Sequence, residues 1–231
     1  MELINNGFVN EVNVSNDILD KNIDTVKDVN RYNIINAFMK EKEVQKMLSF
    51  IKSQNRIPVG IDGIKDNYKE GDQIGSYRLS FFNENIAEQL WSRISHLLSN
   101  EFDKGQEWKP TGINPLFRVI EYKPGCELVP HYDAPYCYNE KKKTRKSMVI
   151  YLTNNQEGAT EFMLDDQSEL DEDNKDFSDR IDYKSSAIAK IFPQKGACVF
   201  FDHRLLHRVE PIFSEDKVII RTDIVYEQIQ E

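Results

Sequence analysis

The chain of 231 residues carries a net charge of −9, with 39% hydrophobic and 30% charged residues. This length fits one large domain or two small ones, and the ordinary hydrophobic content argues against wholesale disorder. No apolar run reaches the roughly 18 residues that span a membrane, and an acidic chain has no general attraction to nucleic acid. The N-terminus has no secretory features and the 3 cysteines lack metal-site spacing. We therefore expect a cytoplasmic protein with reduced thiols and no membrane association.

The N-terminal part of the chain divides into a polar arm and a helical segment. Residues 1–30 are rich in Asn and Asp, which predicts a poorly ordered arm. We expect one domain over residues 31–231, with helical support in residues 31–105. Apolar residues at helical spacing predict a helix over residues 41–54.

Three further features of this segment are predicted from local signals. Residues 32–38 are typical of a short strand or an entry segment. The glycines and prolines of residues 55–75 predict a loop. A second helix follows, capped by Asn83 or Asn85. His96 lies in this helix without an acidic neighbour, so we interpret it as an ordinary boundary residue.

The remainder, residues 106–231, consists of short extended runs separated by turn signals. The clearest runs cover residues 116–122, 147–153, 187–192, 197–201 and 218–226. Many short strands at close spacing predict a β-sandwich or barrel. Helices first and strands afterwards, without βαβ alternation, argue against a parallel sheet. The predicted class is mainly β with N-terminal helices, that is, α+β.

One segment interrupts the strands. Residues 164–185, here called the acidic insertion, contain nine acidic and three basic residues. They are too polar for a core strand. We interpret them as a solvated insertion loop, with a mobile lid or a partner-recognition loop as the alternative.

Two histidine clusters carry the chemical signal. His131 and Asp133 are two residues apart, so at the end of a strand their side chains share a face. His203 or His207 from the second cluster completes a set of two imidazoles and one carboxylate. This set is typical of non-haem Fe(II) oxygenases and leaves coordination positions open for O2 and a co-substrate. A zinc site with the same ligands is the chemical alternative.

The last predicted strand carries two cations. Lys217 and Arg221 alternate onto one face of an otherwise apolar run. Buried cations are costly unless they are paired. A dicarboxylate ligand would satisfy them, and Arg suits bidentate recognition of carboxylates. The alternative is that Arg221 pairs with Asp223 or another core acid.

From residue 112 to residue 226 the chain resembles the Fe(II)/2-oxoglutarate-dependent dioxygenases, in particular their prolyl 4-hydroxylase-like branch. The helix segment IAEQLW (86–91) resembles the helix that leads into the core of this group. The matching core motifs are GINPLFR (112–118), EYKPG (121–125), PHYD (130–133), SMVIYL (147–152), GATEF (158–162), PQKGA (193–197), FFDH (200–203), HRVEP (207–211) and RTD (221–223).

This resemblance implies a double-stranded β-helix, or jelly-roll, core with helices packed on one sheet. It implies the iron ligands His131, Asp133 and His207, because a V-x-P segment follows His207. His203 then occupies a flanking position that supports a ligand.

The resemblance also implies how the co-substrate is bound. Lys217, ten residues after His207, is the expected partner of the distal carboxylate of 2-oxoglutarate, and Arg221 is its rival. Tyr122 matches a tyrosine that reaches the co-substrate, and Arg118 shares its strand face. The implied cofactors are Fe(II), 2-oxoglutarate and O2, with ascorbate as an auxiliary.

The implied function is hydroxylation of an unactivated C–H bond with release of succinate and CO2, on a prolyl residue of a protein or peptide. A free amino acid or another small molecule is the alternative substrate. A non-catalytic jelly-roll binding protein with a vestigial metal site is the alternative of another class. The net charge disfavours a nucleic-acid substrate. The oligomeric state is not predicted.

A basic run at residues 141–146 is expected in the loop after the HxD strand. We interpret it as a solvated loop. The alternative is an electrostatic contact with the acidic insertion or with an acidic substrate.

Overall fold

The computed structural model describes residues 26–29, 32–61, 68–170, 174–176, 178, 180 and 183–229. Most of the predicted polar arm therefore lies outside the described residues. Its last part contains a strand, Val26–Val29. The extent of the arm and the single-domain boundary stay predictions.

Two helices occupy the N-terminal half. Helix α1 covers Glu41–Ser53 and buries Val44, Met47 and Ile51, the apolar face expected from their spacing. Helix α2 covers Glu84–Ile94 and continues into a 3-10 turn at Ser95–Leu97, which contains His96. The Asn83 side chain accepts a hydrogen bond of 3.0 Å from the amide of Ile86, so Asn83 is the N-cap.

The same half also contains strands. They are β1 (Val26–Val29), β2 (Tyr32–Ile35), β3 (Ile57–Gly60), β4 (Ile74–Phe82), β5 (Glu101–Asp103), β6 (Gln106–Ile113) and β7 (Leu116–Tyr122). The segment predicted as helical support therefore also carries β2 to β5.

The loop predicted over residues 55–75 is wrong in part, because it contains β3 and the start of β4. Strand β3 lies at the edge of its sheet, where Pro58 is tolerated. A Cβ atom on Gly75 would lie 2.6 Å from the Cα of Ile61, so glycine is required by the close approach of the two backbones. Pro58 and Gly75, which predicted a loop, instead lie in β3 and β4, a pair of strands at the edge of the sheet.

The remaining strands follow in the C-terminal half. They are β8 (Leu128–His131), β9 (Cys137–Asn139), β10 (Lys142–Tyr151), β11 (Thr160–Met163), β12 (Ala187–Ile191), β13 (Cys198–Asp202), β14 (His207–Val209) and β15 (Lys217–Gln228).

The basic run at residues 141–146 was expected in a loop, and the structure places most of it in β10. Arg145 is buried and donates hydrogen bonds of 2.9 Å to Glu101 and to Asp103. Lys146 Nζ lies 2.5 Å from the Glu101 carboxylate. Acids on β5 thus neutralise the cations of β10, which allows a charged segment to form a strand.

The described strands form two antiparallel sheets. The larger sheet has the path β1-β2-β13-β10-β15-β7-β4-β3, with β6 also paired to β15, and the smaller sheet has the order β12-β11-β14-β8. The mainly β part of the predicted fold class is confirmed.

Two hydrophobic clusters flank the larger sheet. One unites the buried faces of α1 and α2 with residues of the sheet such as Phe117, Met148 and Ile220. The other contains residues of both sheets, including Tyr122, Phe162 and Phe201. This second cluster also contains the strand residues Val149, Tyr151, Ile191, Val199 and Phe201.

None of the helices in the described part of the chain has the length and apolar character needed to cross a bilayer.

Candidate functional site

His131 and His207 face each other across neighbouring strands of the smaller sheet. They are register partners at the end of β8 and the start of β14, and their ring centroids lie 4.2 Å apart. Nδ1 of His131 lies 2.8 Å from the Val129 carbonyl, and Nδ1 of His207 lies 2.8 Å from the Leu205 carbonyl. Because a carbonyl can only accept a hydrogen bond, each ring carries its proton on Nδ1. The lone pair of Nε2 is then available to bind a metal.

Asp133 completes the cluster from the segment that follows β8. Its carboxylate oxygens lie 3.8 Å from Nε2 of His131 and 3.7 Å from Nε2 of His207. One ligand atom from each of the three residues lies within 4.8 Å of the others. The Asp133 amide donates a 3.0 Å hydrogen bond to the His203 carbonyl. The second histidine cluster therefore holds Asp133 by its backbone.

The charge of Asp133 is stabilised by two groups. Arg221 Nη2 lies 2.8 Å from Oδ1, and the hydroxyl of Ser147 donates to Oδ2. Burial alone would raise the pKa of Asp133, but Arg221 and the neighbouring imidazoles hold it well below its usual value. Ser147 was not identified from the sequence, because a serine inside a buried strand carries no local signal.

The His207 ring also has the protonation state that a metal needs. Burial, together with the neighbouring His131, lowers the pKa of His207 to about 3, so this ring is neutral at physiological pH. Metal ligation requires neutral imidazole and ionised carboxylate. Two imidazoles and one carboxylate in a single cluster fit Fe(II) with open coordination positions.

Lys217 begins β15 and is fully buried between the two sheets. Its ammonium donates a 2.7 Å hydrogen bond to the Gly158 carbonyl and lies 5.4 Å from the ring centroid of Tyr122 and 5.7 Å from that of Tyr151. No carboxylate among the described residues lies within ion-pair distance of it. Burial lowers the pKa of Lys217 to about 7. When protonated, Lys217 is therefore a buried cation without an anionic partner among the described residues.

Arg221 lies on the same strand face, and acids already neutralise it. Besides its contact with Asp133, its Nη2 lies 3.5 Å from Asp223 Oδ1 and 3.4 Å from the Ser147 hydroxyl. The alternative considered from the sequence, that Arg221 pairs with a core acid, thus describes its contacts here. The two cations are distinguished by their partners.

Tyr122 and Arg118 share a face of β7, as expected. Tyr122 is the register partner of Lys217, and Arg118 is the register partner of Arg221. Burial raises the pKa of Tyr122, so its hydroxyl stays protonated. Arg118 Nη1 donates a 3.2 Å hydrogen bond to Asp223 Oδ2 while about a third of its side chain is exposed.

Asp223 connects these groups behind the cluster. Its carboxylate contacts Arg118 and Arg221, and Nε2 of His203 lies 3.4 Å from Oδ1. Burial opposes ionisation, but the contact with His203 and the charge of Arg221 lower the pKa of Asp223. From the sequence, Asp223 was named only as a partner for Arg221. Its wider role depends on His203 and on Arg118, which lies 105 positions earlier, and no local pattern reveals these contacts.

The two charged runs noted in the sequence have ion-pair partners of their own. Arg145 and Lys146 of the basic run pair with acids of β5. Within the acidic insertion, Lys175 pairs with Asp165 and Arg180 pairs with Asp166. These contacts give no support to a pairing of the basic run with the insertion.

Comparisons with known proteins agree with this geometry. The model of the 2OG-Fe(II) oxygenase superfamily matches residues 117–222. No curated protein matches the chain. The viral collagen prolyl hydroxylase of Paramecium bursaria Chlorella virus-1, solved with 2-oxoglutarate, is similar with a TM-score of 0.50 and 19% identity, over 89% of this chain and 99% of that chain.

Two further structures share the fold. A Pseudomonas putida prolyl-4-hydroxylase has a TM-score of 0.51 and 13% identity, over 84% of this chain and 91% of that chain. SnoN, a non-haem α-ketoglutarate-dependent epimerase of nogalamycin biosynthesis, has a TM-score of 0.53 and 14% identity, over 85% of this chain and 78% of that chain.

The imidazole–carboxylate cluster and the match of residues 117–222 to the 2OG-Fe(II) oxygenase superfamily model agree with one another. The resemblance to the Fe(II)/2-oxoglutarate dioxygenase superfamily is confirmed, and prolyl hydroxylases are among the structures of the same fold. The cofactor and co-substrates of this superfamily are Fe(II), 2-oxoglutarate and O2, and the donor set present here fits them. The coarse function that follows is that of an oxidoreductase.

Proposed function

We propose that this chain is an Fe(II)- and 2-oxoglutarate-dependent dioxygenase that hydroxylates an unactivated C–H bond, on a prolyl residue of a protein or peptide. The observation that carries the proposal is the cluster of His131, Asp133 and His207, with ligand atoms within 4.8 Å of one another. The buried Lys217 on the same side of the larger sheet, which has no ion-pair partner among the described residues, adds a site for a dicarboxylate.

His131, Asp133 and His207 would hold the iron. The carbonyls of Val129 and Leu205 fix the two rings and direct each Nε2 towards the carboxylate. Arg221 and Ser147 keep Asp133 ionised and oriented. When bound there with 2-oxoglutarate and O2, Fe(II) supplies the oxidising chemistry that converts C–H into C–OH, with release of succinate and CO2.

The contacts of the two cations support different tasks for them. Lys217 would bind the distal carboxylate of 2-oxoglutarate, because its ammonium is buried and its hydrogen-bond partner among the described residues is the Gly158 carbonyl. Arg221 would serve the metal site through Asp133, because two acids already neutralise it. These contacts favour Lys217 over Arg221 as the partner of the distal carboxylate.

Tyr122 and Arg118 extend the co-substrate site. The Tyr122 ring lies beside the ammonium of Lys217, where it shields the ion pair from water and presents its hydroxyl to the co-substrate. Arg118 holds Asp223, and through it Arg221, at the more exposed end of the same face. The apolar residues of both sheets keep the pocket dry, which strengthens the interaction between charges.

Structures of the same fold support two substrate classes. Prolyl hydroxylases among structures of this fold favour a prolyl residue, while the epimerase SnoN supports a small molecule as the second candidate. The complete ligand set argues against a vestigial binding protein. A cytoplasmic location and the use of ascorbate belong to the same proposal.

The test combines two readouts. The purified chain with Fe(II), 2-oxoglutarate, ascorbate and O2 is incubated with proline-containing peptides and with free amino acids. We expect succinate release coupled to the gain of one oxygen atom by a peptide. His131→Ala should abolish both signals, whereas the matched variant His96→Ala should retain them, because His96 lies on a 3-10 turn outside the cluster. Oxygen gain confined to free amino acids would select the alternative substrate class.

A further inference from the structure

The described part of the acidic insertion contacts Tyr132, the residue between His131 and Asp133. The Tyr132 hydroxyl donates to the Asp165 carboxylate, and Nε2 of Gln167 lies 3.4 Å from the same hydroxyl. The Lys175 ammonium lies 4.8 Å from the centroid of the Tyr132 ring. The insertion therefore reaches the segment that carries two of the three metal-binding side chains.

This contact is built around a buried ion pair. Lys175 Nζ lies 3.1 Å from Asp165 Oδ2, with side chains that are only 3% and 5% exposed. The backbone amide of Gln167 donates a 2.9 Å hydrogen bond to Asp165 Oδ1. A buried pair is retained only when its geometry and hydrogen bonds compensate for lost hydration. A merely solvated loop would not bury these charges.

A small apolar cluster joins the same segments. Tyr132 packs with Met163 and Leu206, and Tyr183 and Ala187 cover them. Leu206 directly precedes His207, and its carbonyl accepts a 2.8 Å hydrogen bond from the Met163 amide. The two ends of the insertion thus pack on residues adjacent in sequence to all three members of the metal-binding cluster.

We propose that the insertion is a positioning strap, in which Tyr132, Asp165 and Lys175 hold the metal-binding segment in its ligating geometry. Groups that orient ligands without touching the metal change its affinity, and ligand placement must be precise. This inference rests on the proposed function, since it assigns the cluster to a metal. It makes the insertion part of the metal site instead of a lid over it.

The experiment measures release of Co(II), a spectroscopic substitute for Fe(II), from the full chain into excess chelator. Tyr132→Phe removes one hydroxyl, and its matched control Tyr183→Phe removes a hydroxyl that donates a 2.8 Å hydrogen bond to the Leu164 carbonyl, its partner among the described residues. We expect release from Tyr132→Phe to be roughly tenfold faster than from wild type. Release from Tyr183→Phe should be as slow as from wild type. In the metal-free state, the two variants should have the unfolding midpoint of the wild type.

The possible outcomes distinguish a failure of the strap from a failure of the proposed function. Equal release rates for wild type and Tyr132→Phe would overturn the strap alone, and so would equal acceleration in the two tyrosine variants. A folded wild type that binds no Co(II) would overturn the proposed function, and the strap with it. If Tyr132→Phe does not fold, Asp165→Asn decides, with the exposed Asp166→Asn as its control.

Discussion

Lys217→Met tests the assignment of the co-substrate site through a single buried amine. Methionine matches the apolar stem of lysine and removes the ammonium and its hydrogen bond to the Gly158 carbonyl. Burial lowers the pKa of Lys217 from 10.5 to about 7. Since one pKa unit corresponds to about 1.4 kcal/mol, the buried charge costs on the order of 5 kcal/mol when no anion is bound.

The sign of the pH dependence follows from the same pKa. Between pH 7 and pH 10 the unfolded chain keeps the proton on Lys217 while the folded chain releases it. The free energy of unfolding of the wild type should therefore rise with pH in this interval. Lys217→Met should lack this rise and should be the more stable protein at pH 6, because it has no buried charge to form.

Binding of 2-oxoglutarate should weaken in Lys217→Met, although the stability of this variant at pH 6 should increase. A charge-assisted hydrogen bond is worth about 1.5–3 kcal/mol, so loss of the ammonium should raise the KM for 2-oxoglutarate by roughly 10- to 150-fold. The wild type should also bind 2-oxoglutarate less tightly at pH 9 than at pH 7, because the bound anion needs the protonated amine.

Two measurements check these expectations. Urea unfolding at several pH values gives the stability of the wild type, of Lys217→Met and of Lys195→Met, a control at a partly exposed ammonium. Succinate release at varied 2-oxoglutarate gives the KM. An unchanged KM in Lys217→Met, or the same pH slope of stability in all three proteins, would refute the assignment.

Three further changes test other parts of the site and fold. Arg221→Gln should weaken Co(II) binding by roughly 10- to 100-fold in a chelator competition, because Asp133 loses its 2.8 Å partner; an equal affinity would contradict this role. Tyr122→Phe should raise the KM for 2-oxoglutarate and leave Co(II) affinity unchanged, and the reverse pattern would place Tyr122 at the metal. Gly196→Ala should lower the free energy of unfolding by about 2 kcal/mol or more, because φ is +83° and the new Cβ would lie 2.4 Å from the Met39 carbonyl oxygen. The urea midpoint should fall accordingly, and an unchanged midpoint would show that the backbone relaxes.

Two members of the His131, Asp133 and His207 cluster carry local signals, because Asp133 follows His131 at strand spacing. Spacing left His203 and His207 as alternatives for the third member, and the resemblance to the dioxygenases selected His207. The strand that carries both Lys217 and Arg221 was visible as an apolar run. What spacing could not give was the difference between these two cations, since it depends on which acids lie across the sheet.

The errors have physical causes of the same kind. Strand β3 was missed because its Pro58 and Gly60 signal a loop, whereas an edge position tolerates them. The charged start of β10 was assigned to a loop because its partners, Glu101 and Asp103, lie about 40 residues earlier. The contact of Asp165 with Tyr132 likewise joins residues that no periodicity relates. Long-range ion pairs override local polarity, and only the folded chain shows them.

In the proposed function, His131, Asp133 and His207 hold Fe(II) for a reaction of 2-oxoglutarate. The most direct test is an anaerobic titration of the purified chain with Fe(II) and then 2-oxoglutarate, followed by visible absorption. We predict a weak band from the 2-oxoglutarate–Fe(II) chelate that saturates at one equivalent and is absent in His207→Ala. A folded wild type without this band, or a band that persists in His207→Ala, would contradict the account.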